Sequence, residues 1–420
     1  MSRLRKFGLQ YCDLQSSMEN VAFFLKAVTL KIDERDKKSI PIFFYFLTIF
    51  CSVCYFYVYL VSMVWFVSCR CPVTGDVLAG IIVFSLGIAS EISSVKFLFI
   101  LYNIKDVRKI VAECLACNSQ VVPGTRFSVN LLRTLREAKK RAMLFWMLII
   151  ANGVIYVIKP ILLSGRHFMD DVVILYGLEP MFETPNYQIS FVLEAASVAL
   201  ICYLAANISA FLIIITGYVQ AQLLALSEEL INVWDDAEEH VLQNEEVDIE
   251  NDVEEDIKAI NDKAKEIKVN IYIKDQLKDI ANRHAVIINL LVQIEGIFGG
   301  AIAVEFCVLV VALIAELLGG LQNTYMEVPF ALIQVGMDCL IGQKVMDAGA
   351  VFKDAVYDCK WERFSNNNMK IALVMLVNAQ KPMTVSVGGV TTLSYASFMT
   401  IIKSIYSTYT TLRSTMGDKV

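Results

Sequence analysis

The sequence predicts an all-α membrane protein with seven transmembrane helices. Of its 420 residues, 56% are hydrophobic and 19% are charged, whereas soluble domains average about 45–50% apolar and about 25% charged residues. The apolar residues form seven blocks, and a helix needs about 20 apolar residues to cross a bilayer. Basic residues alternate between successive loops, so the same sequence also predicts which side of the membrane each loop occupies.

The seven apolar blocks give the predicted spans in chain order. They cover residues 40–66, 76–101, 141–163, 188–219, 285–318, 326–350 and 390–412. The first, "IPIFFYFLTIFCSVCYFYVYLVSMVWF", contains no charged residue. Pro382 and the pair Gly388-Gly389 precede the last block. Because Pro and Gly interrupt helices, the seventh segment is predicted to be split into an inner and an outer piece.

Lysine and arginine residues favour a cytoplasmic N-terminus. The N-terminal segment and the loops after spans two, four and six are rich in Lys and Arg, whereas the intervening loops carry few or none. Basic loops stay in the cytoplasm, so seven crossings place the C-terminus outside. G-protein-coupled receptors have the opposite orientation, which argues against that class.

The loop between spans four and five is acidic and contains no helix breaker. Neither Gly nor Pro occurs from Tyr218 to Glu295, so we expect both spans to continue into the cytoplasm as long helices. Between them lies "DDAEEHVLQNEEVDIENDVEEDIKAINDK", which is too acidic to pack as a core. It is either a solvated insert or a docking site for a basic partner.

The motifs of several other functions are missing from the sequence. It contains no HExxH or GxSxG motif, so we expect no enzyme activity. The CxxC pair Cys114 and Cys117 is not followed by a second pair or a His cluster at metal spacing, and no metal or cofactor is expected. No basic face for nucleic acid is visible. A secondary transporter is an alternative, although only the seventh segment is clearly broken, whereas transporters often have paired broken helices.

Five stretches resemble the insect odorant receptors. They are "EPMFETPNYQISFVLEA" (179–195), "HAVIINLLVQIEGIFGGAIAVEFC" (284–307), "FALIQVGMDCLIGQKVMDAGAVFKDAVYDCKW" (330–361), "MLVNAQKPMTVSVGGV" (375–390) and "SFMTIIKSIYSTYTTLR" (397–413). The related gustatory receptors end span seven with a TYxxxxxQF-like signature, and here Gln-Phe does not follow Thr408-Tyr409. A gustatory-type chemoreceptor channel stays an alternative. The last helix of the shared co-receptor is apolar throughout, so this chain resembles a ligand-tuning subunit.

The resemblance implies an odorant-gated, non-selective cation channel in the plasma membrane of sensory dendrites. Four subunits, including co-receptor subunits, would surround one central pore, and a small volatile ligand would bind inside each tuning subunit. The expected organisation is a cytoplasmic N-terminal segment (1–39), spans one to four (40–219), the acidic loop with helical extensions (220–284), spans five and six (285–350), a cytoplasmic anchor with the inner piece of segment seven (351–389), and an outer pore helix with an extracellular tail (390–420).

The resemblance also places the ligand in the outer halves of spans two, three, four and six. A site for a small apolar ligand needs aromatic and aliphatic walls with a few polar groups. The candidates are Ile81, Phe84, Asn152, Tyr156, Phe191, Glu194, Ala195, Phe330 and Ile333. Each of them could instead pack in the core or face lipid. Ionisable residues inside spans are functional candidates by default, and here they also include Glu91, Glu295, Glu305, Glu316, Asp338 and Lys403.

Hydroxyl side chains form a stripe along the last helix. Thr400, Ser404, Ser407 and Thr411 follow steps of four, three and four residues, which places them on one helical face, and we expect them to line the pore. Alternatively, they bond back to backbone carbonyl groups one turn earlier. Thr411 matches the position of the apolar gate ring of the co-receptor. The resemblance places the subunit interface at Tyr357, Trp361, Gln380 and Pro382.

Overall fold

The chain forms a bundle of long helices with one short β-hairpin. The computed structural model describes residues 7–35, 39–245, 255–322, 324–389 and 391–416. Within these ranges the helices are α1 Leu14–Ala27, α2 Ile42–Thr74, α3 Val77–Tyr102, α4 Ile104–Ser119, α5 Arg126–Leu162, α6 Asn186–Glu245, α7 Glu255–Gly319, α8 Glu327–Asp358, α9 Asn366–Ala379 and α10 Tyr395–Met416. The predicted helical class is confirmed.

In the described part of the chain, five helices are long and apolar enough to cross a membrane, namely α2, α3, α5, α6 and α7. The predicted sixth and seventh spans coincide with α8 and α10, which carry more polar residues. Those of α8 include Gln334 and Asp338, and those of α10 are chiefly hydroxyl groups. The protein is therefore a membrane protein with several apolar helices, and the count of seven spans stays a prediction.

The helix α6 forms the centre of the bundle. It packs against α5, α7, α8, α2 and α1, and nearly every residue over 201–220 is buried. A helix that is apolar on all sides can be covered by lipid or by other helices, and in this bundle other helices cover α6. Small residues bring α5 close to α6, since a Cβ atom at Gly217 would lie 2.5 Å from the Cβ of Ala138.

Both α6 and α7 continue far beyond their apolar parts. The α6 extension is held by a stacked pair of Trp234 and Phe364, whose ring centroids are 6.1 Å apart, and by the ion pair of Lys360 with Asp235 at 2.5 Å. These contacts give the polar half of α6 a fixed place. The middle of the predicted acidic loop, residues 246–254, lies outside the described residues.

The seventh segment is interrupted where Pro382 and the glycine pair occur. After α9 the chain forms a hairpin of β1 Ser386–Val387 and β2 Thr391–Thr392, which the sequence analysis did not predict. Gly388 and Gly389 have φ values of 58° and 75°, a region that glycine adopts most readily. The helix α10 begins later than predicted because Ser394 caps it: its hydroxyl accepts from the backbone N–H of Ser397 at 3.1 Å.

Three stretches outside the predicted spans are helical. The α2 helix continues through Cys69, Arg70 and Cys71 to Thr74, with π-helical turns at Phe56–Ser62 and Phe66–Arg70. These residues were predicted to lie in a short loop. The helix α1 lies in the N-terminal segment, and α4 lies in the loop after the second span. Propensity is a weak signal in short polar segments, where tertiary contacts decide the conformation.

Candidate functional site

A small cavity lies among α2, α3, α5, α6 and α8. Its volume is about 60 Å³. The lining residues are Tyr59, Leu86, Ala89, Ser90, Asn152, Gly153, Tyr156, Val198, Ile201, Cys202, Met326, Glu327 and Phe330. A cavity within a helical bundle, lined mostly by apolar side chains with a few polar groups, is a typical ligand site.

Three of the predicted ligand-binding residues meet at this cavity. Asn152 and Tyr156 reach it from α5, and Phe330 reaches it from α8. The other six candidates do not line it: Ile81, Phe84, Phe191, Glu194, Ala195 and Ile333. Phe84 is 40% exposed at the surface of the bundle, and Glu194 is buried elsewhere in the bundle. Tyr59 was not predicted because it lies in the first span, which was not among the spans expected to hold the ligand. Glu327 was not predicted because it precedes the candidates Phe330 and Ile333 of the sixth span.

Local geometry fixes the walls of the cavity. Asn152 and Tyr156 lie one turn apart on α5 and therefore share a face. The Asn152 side-chain amide donates to the Met326 carbonyl oxygen at 3.2 Å, which ties α5 to the start of α8. A Cβ atom at Gly153 would lie 2.6 Å from Cys202 Sγ, so glycine allows α5 and α6 to approach here.

The end of the bundle around this cavity is acidic. Glu327 is the first residue of α8, where the helix dipole favours a negative charge. It lies within electrostatic reach of Tyr156 and of Glu316, and Glu194 is within reach of both Tyr156 and Tyr59. Glu316 is buried, and neither of its carboxyl oxygens has a hydrogen-bond partner among the described residues.

The loop 163–185 packs at the same end. Its Phe168 ring contacts the ring of Tyr187 at 5.2 Å, and the Tyr57 hydroxyl donates to the Tyr176 carbonyl oxygen. Burial raises the pKa of Asp170 in this loop. Asp170 is also within electrostatic reach of Tyr156, so the loop lies near the cavity without lining it.

A larger cavity of about 270 Å³ lies between the N-terminal segment, α1, α5 and α6. Its lining includes the aromatic residues Phe7, Phe24 and Trp146. Lys139 Nζ, also in the lining, donates to the carbonyl oxygens of Gly8 and Tyr11 at 3.1 and 2.5 Å. None of the predicted ligand-binding residues lies there.

Three charged residues meet in the middle of the bundle. Lys96 of α3 is 1% exposed, and its Nζ lies 2.8 Å from Glu305 Oε2 of α7 and 2.7 Å from Asp338 Oδ2 of α8. Both contacts are ion pairs. Glu305 and Asp338 were candidates from the sequence, whereas Lys96 was missed because its partners are far away in the chain.

The predicted pore stripe lies on the outward face of α10. Thr400, Ser404, Ser407 and Thr411 are all exposed. Ile405, on the opposite face, is 3% exposed and joins the core. Thr400, Ser404 and Thr411 also donate to backbone carbonyl oxygens one turn earlier, at 2.9–3.0 Å. The hydroxyl groups therefore bond to backbone carbonyl groups and also form a polar outward face, so the two alternatives are compatible.

The predicted interface residues are exposed on the chain. Tyr357 is 62% and Trp361 is 40% exposed, and Gln380 and Pro382 are exposed as well. They lie in the same region as three exposed apolar side chains of α9, which are Leu373, Val374 and Val377. We call this set the α8–α9 patch. Trp361 is therefore not a core residue of the single subunit.

Comparisons with known proteins agree on one family. A family model described as 7tm Odorant receptor matches residues 77–406. The structure of the insect olfactory receptor OR5 from Machilis hrabei superposes with a TM-score of 0.73 at 11% identity, covering 95% of this chain and 98% of that chain. The complex of the same receptor with eugenol superposes with a TM-score of 0.72, at the same identity and coverage. No curated protein sequence matches this chain.

Proposed function

This chain belongs to the insect odorant receptor family, and from that premise we propose that it is a ligand-tuning subunit of an odorant-gated, non-selective cation channel. The observation that carries the proposal is the cavity enclosed by α2, α3, α5, α6 and α8. Such a cavity inside a membrane bundle is open to small apolar molecules that partition into lipid. The receptor from Machilis hrabei shares the fold and has been solved in complex with eugenol, which supports a small volatile ligand here.

The outward face of α10 supports a water-filled pore. The helix contacts its own subunit through α7 and α8, on the side that carries Ile405, and it turns its hydroxyl side chains away. Hydrocarbon does not solvate such a face, whereas water in a central pore does. Hydroxyl groups and their waters partly replace the hydration shell of an ion without a ring of acidic charges. Weakly selective cation currents are the expected result.

The α8–α9 patch supports assembly into a tetramer. Exposed apolar residues grouped outside the predicted spans indicate a surface that a partner covers. We assign this patch to contacts between subunits, with co-receptor subunits as the partners. With a cytoplasmic N-terminus, as the basic loops predict, the patch lies in the cytoplasm and the C-terminus lies outside the plasma membrane.

Electrophysiology in cells that express this chain with and without a co-receptor tests the proposal. A panel of volatile compounds should evoke inward cation currents that need this chain and that reverse near zero potential. Surface labelling must show that the complex reaches the plasma membrane. If surface-expressed complexes stay silent to the whole panel while the co-receptor responds to its own agonist, the proposed function is refuted.

A further inference from the structure

The polar groups that line the cavity differ in whether they already form hydrogen bonds within the protein. The Ser90 hydroxyl donates to the Gly87 carbonyl oxygen of its own helix at 2.7 Å. The Asn152 side-chain amide donates to the Met326 carbonyl oxygen. The Tyr156 side chain approaches the carboxyl group of Glu327. Glu327 nevertheless differs from both, because its Oε2 is buried and has no hydrogen-bond partner among the described residues. It is also the one charged side chain in the cavity lining as the structure describes it.

A buried carboxylate oxygen without a partner is costly, so a ligand that donates a hydrogen bond to it gains free energy. The carboxyl groups of Glu194 and Glu316 lie within electrostatic reach of Tyr59 and Glu327, which line the cavity. The cavity therefore favours a ligand that presents a hydrogen-bond donor or a positive charge to Glu327. It disfavours a ligand whose polar group can only accept a hydrogen bond.

We propose that this cavity selects compact odorants that carry a hydrogen-bond donor, a hydroxyl or an amino group, and that Glu327 is the residue that anchors this group. The inference rests on the proposed function and adds the ligand class. Tyr59, Tyr156 and Phe330 supply aromatic walls for the hydrocarbon part. An ammonium group would also gain from the faces of the two tyrosine rings.

The size of the cavity restricts the hydrocarbon part. Its volume of about 60 Å³ is well below the roughly 300–1,000 Å³ of sites for drug-sized ligands. One water molecule takes about 30 Å³ of liquid volume, and a cavity of about 150 Å³ holds benzene. Even a short chain or a single ring therefore requires the helices to move apart, and a larger odorant requires a larger movement. The favoured ligands are therefore small alcohols, phenols and amines, and their isomeric ethers are the poorest ligands of equal size.

Matched compounds test the donor requirement. Hexanol and methyl pentyl ether are isomers, and hexylamine has nearly the same shape, so their comparison holds volume constant. The same triplet is made for butyl, pentyl and heptyl skeletons, and for p-cresol with its isomer anisole and with p-toluidine. Currents are recorded from the chain with its co-receptor. We expect donors to reach half-maximal current at concentrations roughly ten- to a hundredfold lower than the matched ethers, as for a hydrogen bond to a charged group.

Two variants separate charge from hydrogen bonding. Glu327→Leu removes the acceptor and should abolish the preference for alcohols and amines over ethers. Glu327→Gln keeps an acceptor but no charge, so it should lose the response to amines more than the response to alcohols. Glu238→Leu, at an exposed position in the polar part of α6, is the matched control. It should leave the ratio between the responses to donors and to ethers unchanged. Surface labelling of each variant excludes a folding defect.

The outcomes distinguish a failure of the proposed ligand class from a failure of the proposed channel function. Equal responses to donors and ethers, responses to ethers alone, or an unchanged donor preference in Glu327→Leu would overturn the ligand class while leaving an odorant-gated channel intact. A separate mixture of esters, ketones and terpenes, which contain no donor, serves as the second arm. Silence in both arms, with the complex at the cell surface, overturns the proposed function and this inference together.

Discussion

Replacing Lys96 by Met is expected to destabilise the subunit strongly. The side chain is buried and contacts two carboxylates, at 2.8 Å in Glu305 and at 2.7 Å in Asp338. Met has a similar length but no charge, so the substitution leaves two like charges together inside the bundle. Removing one partner of a buried ion pair costs about 3–5 kcal/mol. For a chain of 420 residues this corresponds to a fall of about 3–6 °C in the apparent melting temperature.

The measurement is the thermal loss of the fluorescent, detergent-solubilised complex on size-exclusion chromatography. The triple variant Lys96→Met, Glu305→Gln, Asp338→Asn removes all three charges and should recover most of the loss, because an uncharged cluster avoids the desolvation of unpaired ions. Lys105→Met, at an exposed position of α4, should melt like the natural protein. Equal melting of Lys96→Met and the natural chain, or additive losses in the triple variant, would show that the three residues do not act as one cluster.

Three further predictions concern the pore, the assembly and the hairpin. Cysteines introduced singly should react with a small charged thiol reagent, faster with odorant, at Thr400, Ser404, Ser407 and Thr411. A cysteine at the buried Ile405 should stay protected, and equal reactivity on both faces would place the pore elsewhere. Trp361→Ala should lower the tetramer fraction, because an interface Trp contributes about 2–4 kcal/mol, while the separate subunit melts almost unchanged; a normal tetramer peak would contradict this role. In Gly342→Ala the added Cβ atom would lie 2.2 Å from the Leu393 Cβ atom, so we expect reduced odorant currents at normal surface expression, and normal currents would show that the hairpin tolerates the shift.

The apolar pattern predicted the helices well and their ends poorly. Hydrophobic blocks mark the buried or lipid-facing parts of α2, α3, α5, α6 and α7, but the polar continuations of α6 and α7 give no such signal. The absence of Gly and Pro from Tyr218 to Glu295 supported the prediction that both helices continue. The hairpin at 386–392 was missed because its strands have two residues each, too few for an alternating pattern.

The site was predictable only in part, because it depends on contacts between distant segments. Aromatic and amide side chains one turn apart on α5 indicated Asn152 and Tyr156, and both line the cavity. Glu327 lies at the boundary of the sixth apolar block, where a carboxylate is normally expected to face water. Only the fold shows that its Oε2 is buried. Lys96 was likewise hidden, since a single cation in an apolar span does not reveal which acids it meets.

The helix α8 connects the features that the proposed mechanism requires. Its first two turns place Glu327 and Phe330 at the cavity, two turns later Asp338 pairs with Lys96, and one turn beyond that Gly342 packs against Leu393, just before α10 begins. Close-packed interiors transmit displacement rather than absorb it. A ligand that moves the start of α8 must therefore strain either the ion cluster or the contact with Leu393. Because the cluster fixes α8 to α3 and α7 with charge-assisted contacts, the softer contact is the one at Leu393. We therefore expect the motion to pass to the hairpin and the pore helix, to the extent that the ligand binds the open state more tightly than the closed one.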